Sequence, residues 1–578
     1  MTHTTMKRIL FLLACSFFAG LQVNAQQTQP TTKFKLGGLG RSILTSDKIS
    51  GDYIGDDTLN STKGVGGYTL FDLRADLAIS NHFQANTILR VKNPYGSFYG
   101  DKTFFEFRQM QFFGDITKNI KYRVGDIYVG GTNEFLFWNP EETYNTFEAD
   151  IFSQKRDILE YENFIVGNQW RLQGFEAMTA WDSVGPLHKL IVNAGGYRTN
   201  PSNDKATADR VVATSTIKVI QAEKLTVGFN YIGLLDIPVS TSNFIYQNNI
   251  LHGEASYLAV NNDNLALSVG VQGASSGFKV TDNIIDSTVE RKDFFYHGEV
   301  GVTYKPAKLK LTLGYRDVGA QYYNPAAQTG RVNVGTTPSI FPTVTNNSVD
   351  RTQMLYDRVT EEGIYYENLQ TVNVDYRPQY TNATPYGMAT GNRKGLKVGL
   401  ATDTSLKVLK AEVMYESLSE VIGEGTADVR KYGVIRGGFL LNVNKLIDFK
   451  RLIQVNAGYS SENTSRDGDA GVDFTSSLID AGLAVETLKK IDLLGGVKLL
   501  SASGNEFLAV RNQFNQITSF NKFTYDGTES IYSVGVRFRF AEYAFATANY
   551  FMSEVKDNTV SNVSYKYDSI FLNFTVQF

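Results

Sequence analysis

The chain has 578 residues, of which 42% are hydrophobic and 13% aromatic, with 51 Gly, 12 Pro and a single Cys. A formal net charge of −3 argues against a nucleic-acid partner, and one Cys excludes a disulfide framework and a multi-thiolate metal site. Abundant Gly, scarce Pro, 38 Phe and 32 Tyr favour strands and tight turns over helices.

The N-terminus carries Met6-Lys7-Arg8, an apolar run from Ile9 to Ala19, and Val23-Asn24-Ala25 before Gln26. That is the layout of a cleaved signal peptide, so residues 1–25 are expected to be removed and 26–33 to form a short periplasmic N-terminus. A membrane anchor would need a longer apolar run. Leu12-Leu13-Ala14-Cys15 is a poor lipoprotein box, because its apolar run is short and Leu13 is bulky. The cut removes Lys7, Arg8 and Cys15, and the net charge moves from −3 to −5. No later apolar run has the length of a membrane helix. An exported chain of this kind is either soluble or spans by strands.

Beyond residue 33 the chain alternates with a period of two. Phe71, Leu73, Ala75 and Leu77 oppose Asp72, Arg74 and Asp76. Leu225, Val227, Phe229 and Tyr231 oppose Thr226, Gly228 and Asn230. Leu309, Leu311, Leu313 and Tyr315 oppose Lys310, Thr312, Gly314 and Arg316. Leu409, Ala411, Val413 and Tyr415 oppose Lys410, Glu412 and Glu416, and Tyr532 to Phe540 repeats the scheme with Arg537 and Arg539 on the polar side.

Connections alternate as well. Very short links fall at 80–82, 117–119, 222–224, 261–264, 305–308, 488–490 and 541–543. Long polar or Gly-rich excursions are expected between them, at 45–63, 131–163, 275–292, 318–394, 460–474 and 502–530. Sorting links by parity is the arrangement of an up-and-down barrel, with tight turns on one rim and long loops on the other. All twelve Pro lie outside the alternating stretches, as interior ladders require. The expected fold is all-β: a single up-and-down transmembrane β-barrel over 34–578, with about 22 antiparallel strands (20–24) of about nine to thirteen residues. Short turns would be periplasmic and long loops, near 132–163 and 318–394, extracellular. A further hairpin could form at 369–376. Closure requires the last strand to bond to the first, expected near Phe34–Gly38.

The chain closes on Ser569-Ile570-Phe571-Leu572-Asn573-Phe574-Thr575-Val576-Gln577-Phe578. With the leader and the loop parity, this ending resembles the outer-membrane β-barrel proteins of Gram-negative bacteria, porin-like but of no named subfamily. The resemblance implies that Leu572, Phe574, Val576 and Phe578 form the C-terminal signal read by the barrel-assembly machinery. It implies outer-membrane lipid as a partner and a multi-pass location in the cell outer membrane. TonB-dependent transporters, which share the strand number, carry a plug before the barrel. Residues 26–33 leave no room for one.

Chemical motifs are sparse. Gly273-Ala274-Ser275-Ser276-Gly277 matches a nucleophile elbow, but a strand running into a polar loop is not the strand–turn–helix that the motif needs. The histidines, at 3, 82, 188, 252 and 297, are not spaced as metal pairs. Asp467, Asp469 and Asp473 lack the length and terminal Glu of a calcium loop. No catalytic residue, metal site or cofactor is therefore expected. Candidate lumen residues are Asp72, Arg74, Asp76, Arg316, Lys410, Glu412, Arg436, Arg537 and Arg539, whose charges would hold water inside the barrel.

The acidic excursion supplies Glu134, Trp138, Glu141, Glu142, Glu148 and Asp150 as a candidate constriction, since charge rings select ions in pores. It could equally be an external loop folded on its own aromatics. Tyr322, Tyr323, Tyr356, Tyr365, Tyr366, Tyr376, Tyr380 and Tyr386 in the 318–394 excursion suit either a lid or glycan or protein capture. The reading is a channel for passive diffusion of small hydrophilic solutes. The alternative is a non-transporting barrel, an adhesin or a component of a surface secretion or assembly complex that binds other surface proteins.

Overall fold

The computed structural model describes residues 32–51, 62–95, 103–130, 133–137, 147–162, 165–166, 169–200, 208–222, 224–238, 243–327, 378–385, 387–403, 405–512, 516–559 and 563–578. The expected leader, Trp138, Glu141, Glu142, the possible hairpin at 369–376 and Tyr356, Tyr365, Tyr366, Tyr376 and Tyr386 lie outside them.

Among the described residues 22 long strands close one antiparallel sheet, to which a two-residue strand, Ile165–Val166, is appended at Gln169 and Trp170. The first seven are β1 (Lys33–Gly51), β2 (Thr62–Ser80), β3 (Phe83–Pro94), β4 (Phe104–Asp115), β5 (Ile120–Gly130), β6 (Gln169–Val184) and β7 (Leu187–Asn200). Then come β8 (Asp209–Gln221), β9 (Leu225–Ile237), β10 (Phe244–Asn261), β11 (Leu265–Asp282), β12 (Ser287–Tyr304), β13 (Leu309–Val318), β14 (Arg393–Thr402) and β15 (Leu409–Ser419). The rest are β16 (Lys431–Asn442), β17 (Ile453–Arg466), β18 (Val472–Leu488), β19 (Ile491–Arg511), β20 (Ile517–Ala541), β21 (Ala544–Asp557) and β22 (Val563–Gln577). Each pairs with its sequence neighbours, and β22 pairs with β1 from Leu39↔Gln577 to Gly51↔Tyr565. Among the described residues the sheet closes with no free edge strand, although β4 and β5 pair with each other only from Gln111↔Gly125 to Asp115↔Lys121.

Closure is shifted from the expected place. β22 meets residues 39–51, with Gly38 and Phe578 exchanging both backbone hydrogen bonds, whereas Lys33 to Leu36 pair only with β2. Tilted strands force this stagger, since a barrel closes with a register shear.

Strand lengths differ too, from 10 residues in β13 to 25 in β20. The expected excursions at 275–292, 460–474 and 502–530 are mostly sheet, and the links there shrink to 283–286, 467–471 and 512–516. The Gly273–Gly277 segment lies inside β11, not at a loop start. In these hairpins the outward positions are polar while the inward ones, such as Ala274, Phe278, Val280, Phe474 and Tyr525, are buried, so pairing persists although no apolar outer face marks the strands.

Lower on the wall the alternation governs everything. Leu409, Val413 and Tyr415 are exposed on the outer face while Glu416 is buried inside. In β22, Ile570, Leu572, Phe574 and Phe578 are exposed and Phe571, Asn573 and Thr575 are buried. Phe578 stacks on Phe71 at 5.7 Å. Val413→Arg, placing a cation on that outer face, is expected to cost about 2–4 kcal/mol if near the bilayer midplane, whereas lumen-facing Glu412→Gln should change stability little. Urea unfolding of the refolded barrel in lipid reads both, and equal losses would contradict the assignment of faces.

Candidate functional site

The barrel interior is not empty. Between β5 and β6 two described stretches, 133–137 and 147–162, lie inside the barrel, and the second contains a helix, α1 (Asp150–Glu162). Asp150 at its start suits the positive end of the helix dipole. Ile151, Phe152 and Ile158 are buried against the wall. The wall makes room with glycines: a Cβ on Gly482 would lie 2.1 Å from the Ala149 Cβ, and one on Gly496 would lie 2.5 Å from the Phe152 Cε2. Polar contacts fix the same end. Asp150 meets Arg537 at 2.8 Å, Glu148 meets Lys498 at 2.5 Å, and the Gln154 Oε1 accepts from Thr547 and Asn549 at 3.2 and 3.1 Å.

The other end of α1 is gripped by β1 to β4. Asp72 receives two hydrogen bonds from Arg90, at 2.8 and 2.7 Å, and one from the Tyr161 hydroxyl at 2.6 Å. The guanidinium of Arg108 lies 4.0 Å from the Tyr161 ring centroid, and its NH2 group donates to the Tyr161 carbonyl. Arg41 and Arg90 flank the same ring at 5.3 and 5.7 Å. Glu162 meets Lys92 at 2.8 Å and Arg41 at 3.4 Å, and the Tyr68 hydroxyl donates to it. Cations around a helix C-terminus also satisfy its dipole. Burial lifts the Tyr161 phenol to about 12, so it stays a neutral donor to Asp72.

The first stretch, 133–137, docks across the lumen. Phe135 stacks on Phe295 at 4.5 Å, and Asn133 donates to Gln272 at 2.7 Å. His252, beside them, is held by Asn230 and Gln272 at 3.0 Å each. The link between β13 and β14 also enters. Asn324 donates to the carbonyls of Phe135 and Leu136, at 3.0 and 3.2 Å, and Tyr322 meets Phe295 edge-on at 5.3 Å. Farther along this link, the backbone N–H of Asn382 donates to Glu462 at 2.7 Å, its side chain to Glu506 at 2.9 Å, and the Tyr380 hydroxyl to Glu529 at 2.8 Å. Two inner segments thus hold each other and the wall.

The remaining lumen candidates lie on the inner face. Arg74 pairs with Asp76 at 2.9 Å near the short-turn rim. Arg316 pairs with Glu416 at 3.1 Å and Arg436 with Glu462 at 2.7 Å. Arg537 and Arg539 share Asp492, at 2.9 and 2.8 Å. Lys410 is partly exposed on the inner face. Glu134, Glu148, Arg316, Glu412 and Arg436 line a cavity of about 480 Å³. Among the described residues no group of three His, Cys, Asp or Glu is arranged to hold a metal.

Sequence reasoning missed α1, the grip of Arg41, Arg90 and Arg108, and the hollow at Gly482 and Gly496. Arg90 and Lys92 alternate with apolar residues in β3 as Arg74 and Asp76 do in β2, so their inward direction was available. The glycine hollow has no local signal.

An apolar outer belt, a charged inner wall and a sheet without an edge occur together only where the surroundings are hydrocarbon outside and water inside. The chain is a barrel of the outer-membrane type. No family model and no curated protein matches it. Among solved structures, OccK11 (OpdR) of Pseudomonas aeruginosa is 9% identical, over 94% of this chain and 96% of its own, with a TM-score of 0.37. A BenF-like porin from Pseudomonas fluorescens Pf-5 is 9% identical, over 78% and 99%, at 0.36. OccK2 (OpdF) of P. aeruginosa in complex with glucuronate is 8% identical, over 94% and 98%, at 0.35. At these scores the assignment rests on the barrel's own strand register.

Proposed function

We propose that the barrel is an outer-membrane channel through which small hydrophilic solutes diffuse passively, with the two inner segments setting the width of the passage. The observation that carries this reading is the cavity between charged walls, bounded by Glu134 and Glu148 from one segment and by Tyr380 and Met388 from the other. Inward charges keep such a space wet. Osmotic swelling of proteoliposomes tests it: small sugars and amino acids should enter and larger oligosaccharides should be excluded. No swelling with folded protein present would instead favour an adhesin or a partner of surface secretion proteins.

In the same reading Phe578 serves assembly as well as closure. It is exposed outside the barrel, stacks on Phe71 and bonds to Gly38. Deleting Phe578 should lower the amount of heat-modifiable barrel in outer-membrane fractions several-fold. Unchanged levels would remove the terminal Phe from the assembly signal.

A further inference from the structure

The cavity in the lumen carries charges that the wall does not neutralise. Arg316, Arg436 and Lys498 are each paired with a carboxylate within 3.1 Å. Lys310, Lys397 and Glu299 also line the space, and none of them has an oppositely charged partner within 4.0 Å among the described residues. Register puts them around one hollow. Glu299 stands opposite Gly314, and Gly314 opposite Lys397, so the two charges flank a glycine across two strand gaps, about 10 Å between Cα atoms. Thr312 and Gly399 face each other in the next row inward from the same strands, and Lys310 lies four residues along β13 from Gly314.

The floor of this hollow is bare by choice of residue. A Cβ on Gly399 would find only ordinary contacts, 3.8 Å to the Thr312 Cβ and 3.9 Å to the Val413 carbonyl oxygen. One on Gly314 would come no nearer than 3.5 Å, to the His297 Nε2. Neither glycine is required by packing, so together they leave the inner wall open at this point, as a strand glycine does where a ligand approaches the backbone.

We propose that this hollow binds a small zwitterion, an unblocked short peptide or amino acid, with its ammonium on Glu299 and its carboxylate on Lys397. The proposal rests on the channel reading for its route of access and names the solute class. A neutral sugar would leave all three charges unpaired, and a simple anion would leave Glu299 so. A zwitterion answers both signs at once. Lys310 lines the same cavity as a second cation without a carboxylate partner within 4.0 Å among the described residues.

Isothermal titration calorimetry on the purified full-length barrel in detergent tests this with L-alanyl-L-alanine and with its N-acetylated, C-amidated form. The free dipeptide should bind saturably and the blocked one should not. Glu299→Gln and Lys397→Gln should each weaken binding about tenfold, the loss of roughly 1.4 kcal/mol. Gly399→Leu, which fills the floor and removes no charge, should abolish binding while the barrel remains heat-modifiable. Equal binding of free and blocked dipeptide, or Gly399→Leu binding like wild type, would overturn the site. No binding by a barrel that passes solutes in the swelling assay defeats this proposal alone. Binding by one that passes none defeats the channel reading and leaves the site standing.

Discussion

Replacing Asp72 by Ala is expected to cost about 3–5 kcal/mol of stability and to raise the conductance of the pore. Asp72 is 1% exposed, and it receives two hydrogen bonds from Arg90 and one from Tyr161. Arg108 stands 3.7 Å from the same carboxylate. Without it two guanidinium groups remain buried around an aromatic ring with their central anion gone, and breaking a buried pair leaves an uncompensated charge. The cheapest relief is to let the end of α1 swing away and water enter. Chemical unfolding in detergent reads the stability, and planar-bilayer recording reads the pore. A destabilised barrel of unchanged conductance would mean that α1 does not narrow the passage.

Gly496→Leu attacks the opposite end of the helix by steric means. Its Cβ alone would lie 2.5 Å from Phe152 Cε2 and 2.9 Å from Ile151 Cγ2. The strand under it cannot yield, because β19 is paired on both sides at Gly496, with Gly482 and with Ser533. α1 is held only by side-chain contacts, so it is the partner that moves. Overpacking of this kind typically costs about 1–3 kcal/mol when the surroundings are fixed, and displacement of α1 would relieve it. The expected result is a barrel that stays heat-modifiable, conducts more, and is cut by trypsin near Lys155. An unchanged conductance with α1 protected would show that the wall, not the helix, gave way.

These two sites also show how much the sequence could tell. The barrel was legible because hydrocarbon enforces alternation: Leu409, Val413 and Tyr415 must face out if Glu416 faces in. The long hairpins were not, because their outward positions, such as Ser275 and Thr524, are polar and the buried ones mix Ala274 and Tyr525 with Ser276 and Glu529, which blurs the apolar alternation. Asp72 could be placed on the inner face from its neighbours Phe71 and Leu73. Its partners Arg90 and Tyr161 come from a neighbouring strand and an inner helix, and nothing within residues 71–77 announces them. α1 carries little helical signal of its own, since among its described side chains Ile151, Phe152 and Ile158 supply the buried apolar face. The surface that makes a helix worthwhile there is the hollow at Gly482 and Gly496, more than 300 residues away in sequence.

The most direct measurement is the single-channel current of the wild-type barrel in a planar bilayer, beside Asp72→Ala and Gly496→Leu. A channel narrowed by its inner segments predicts discrete ohmic steps for the wild type and larger steps for both variants. A flat baseline from all three, with the protein shown to be folded and inserted, would contradict it.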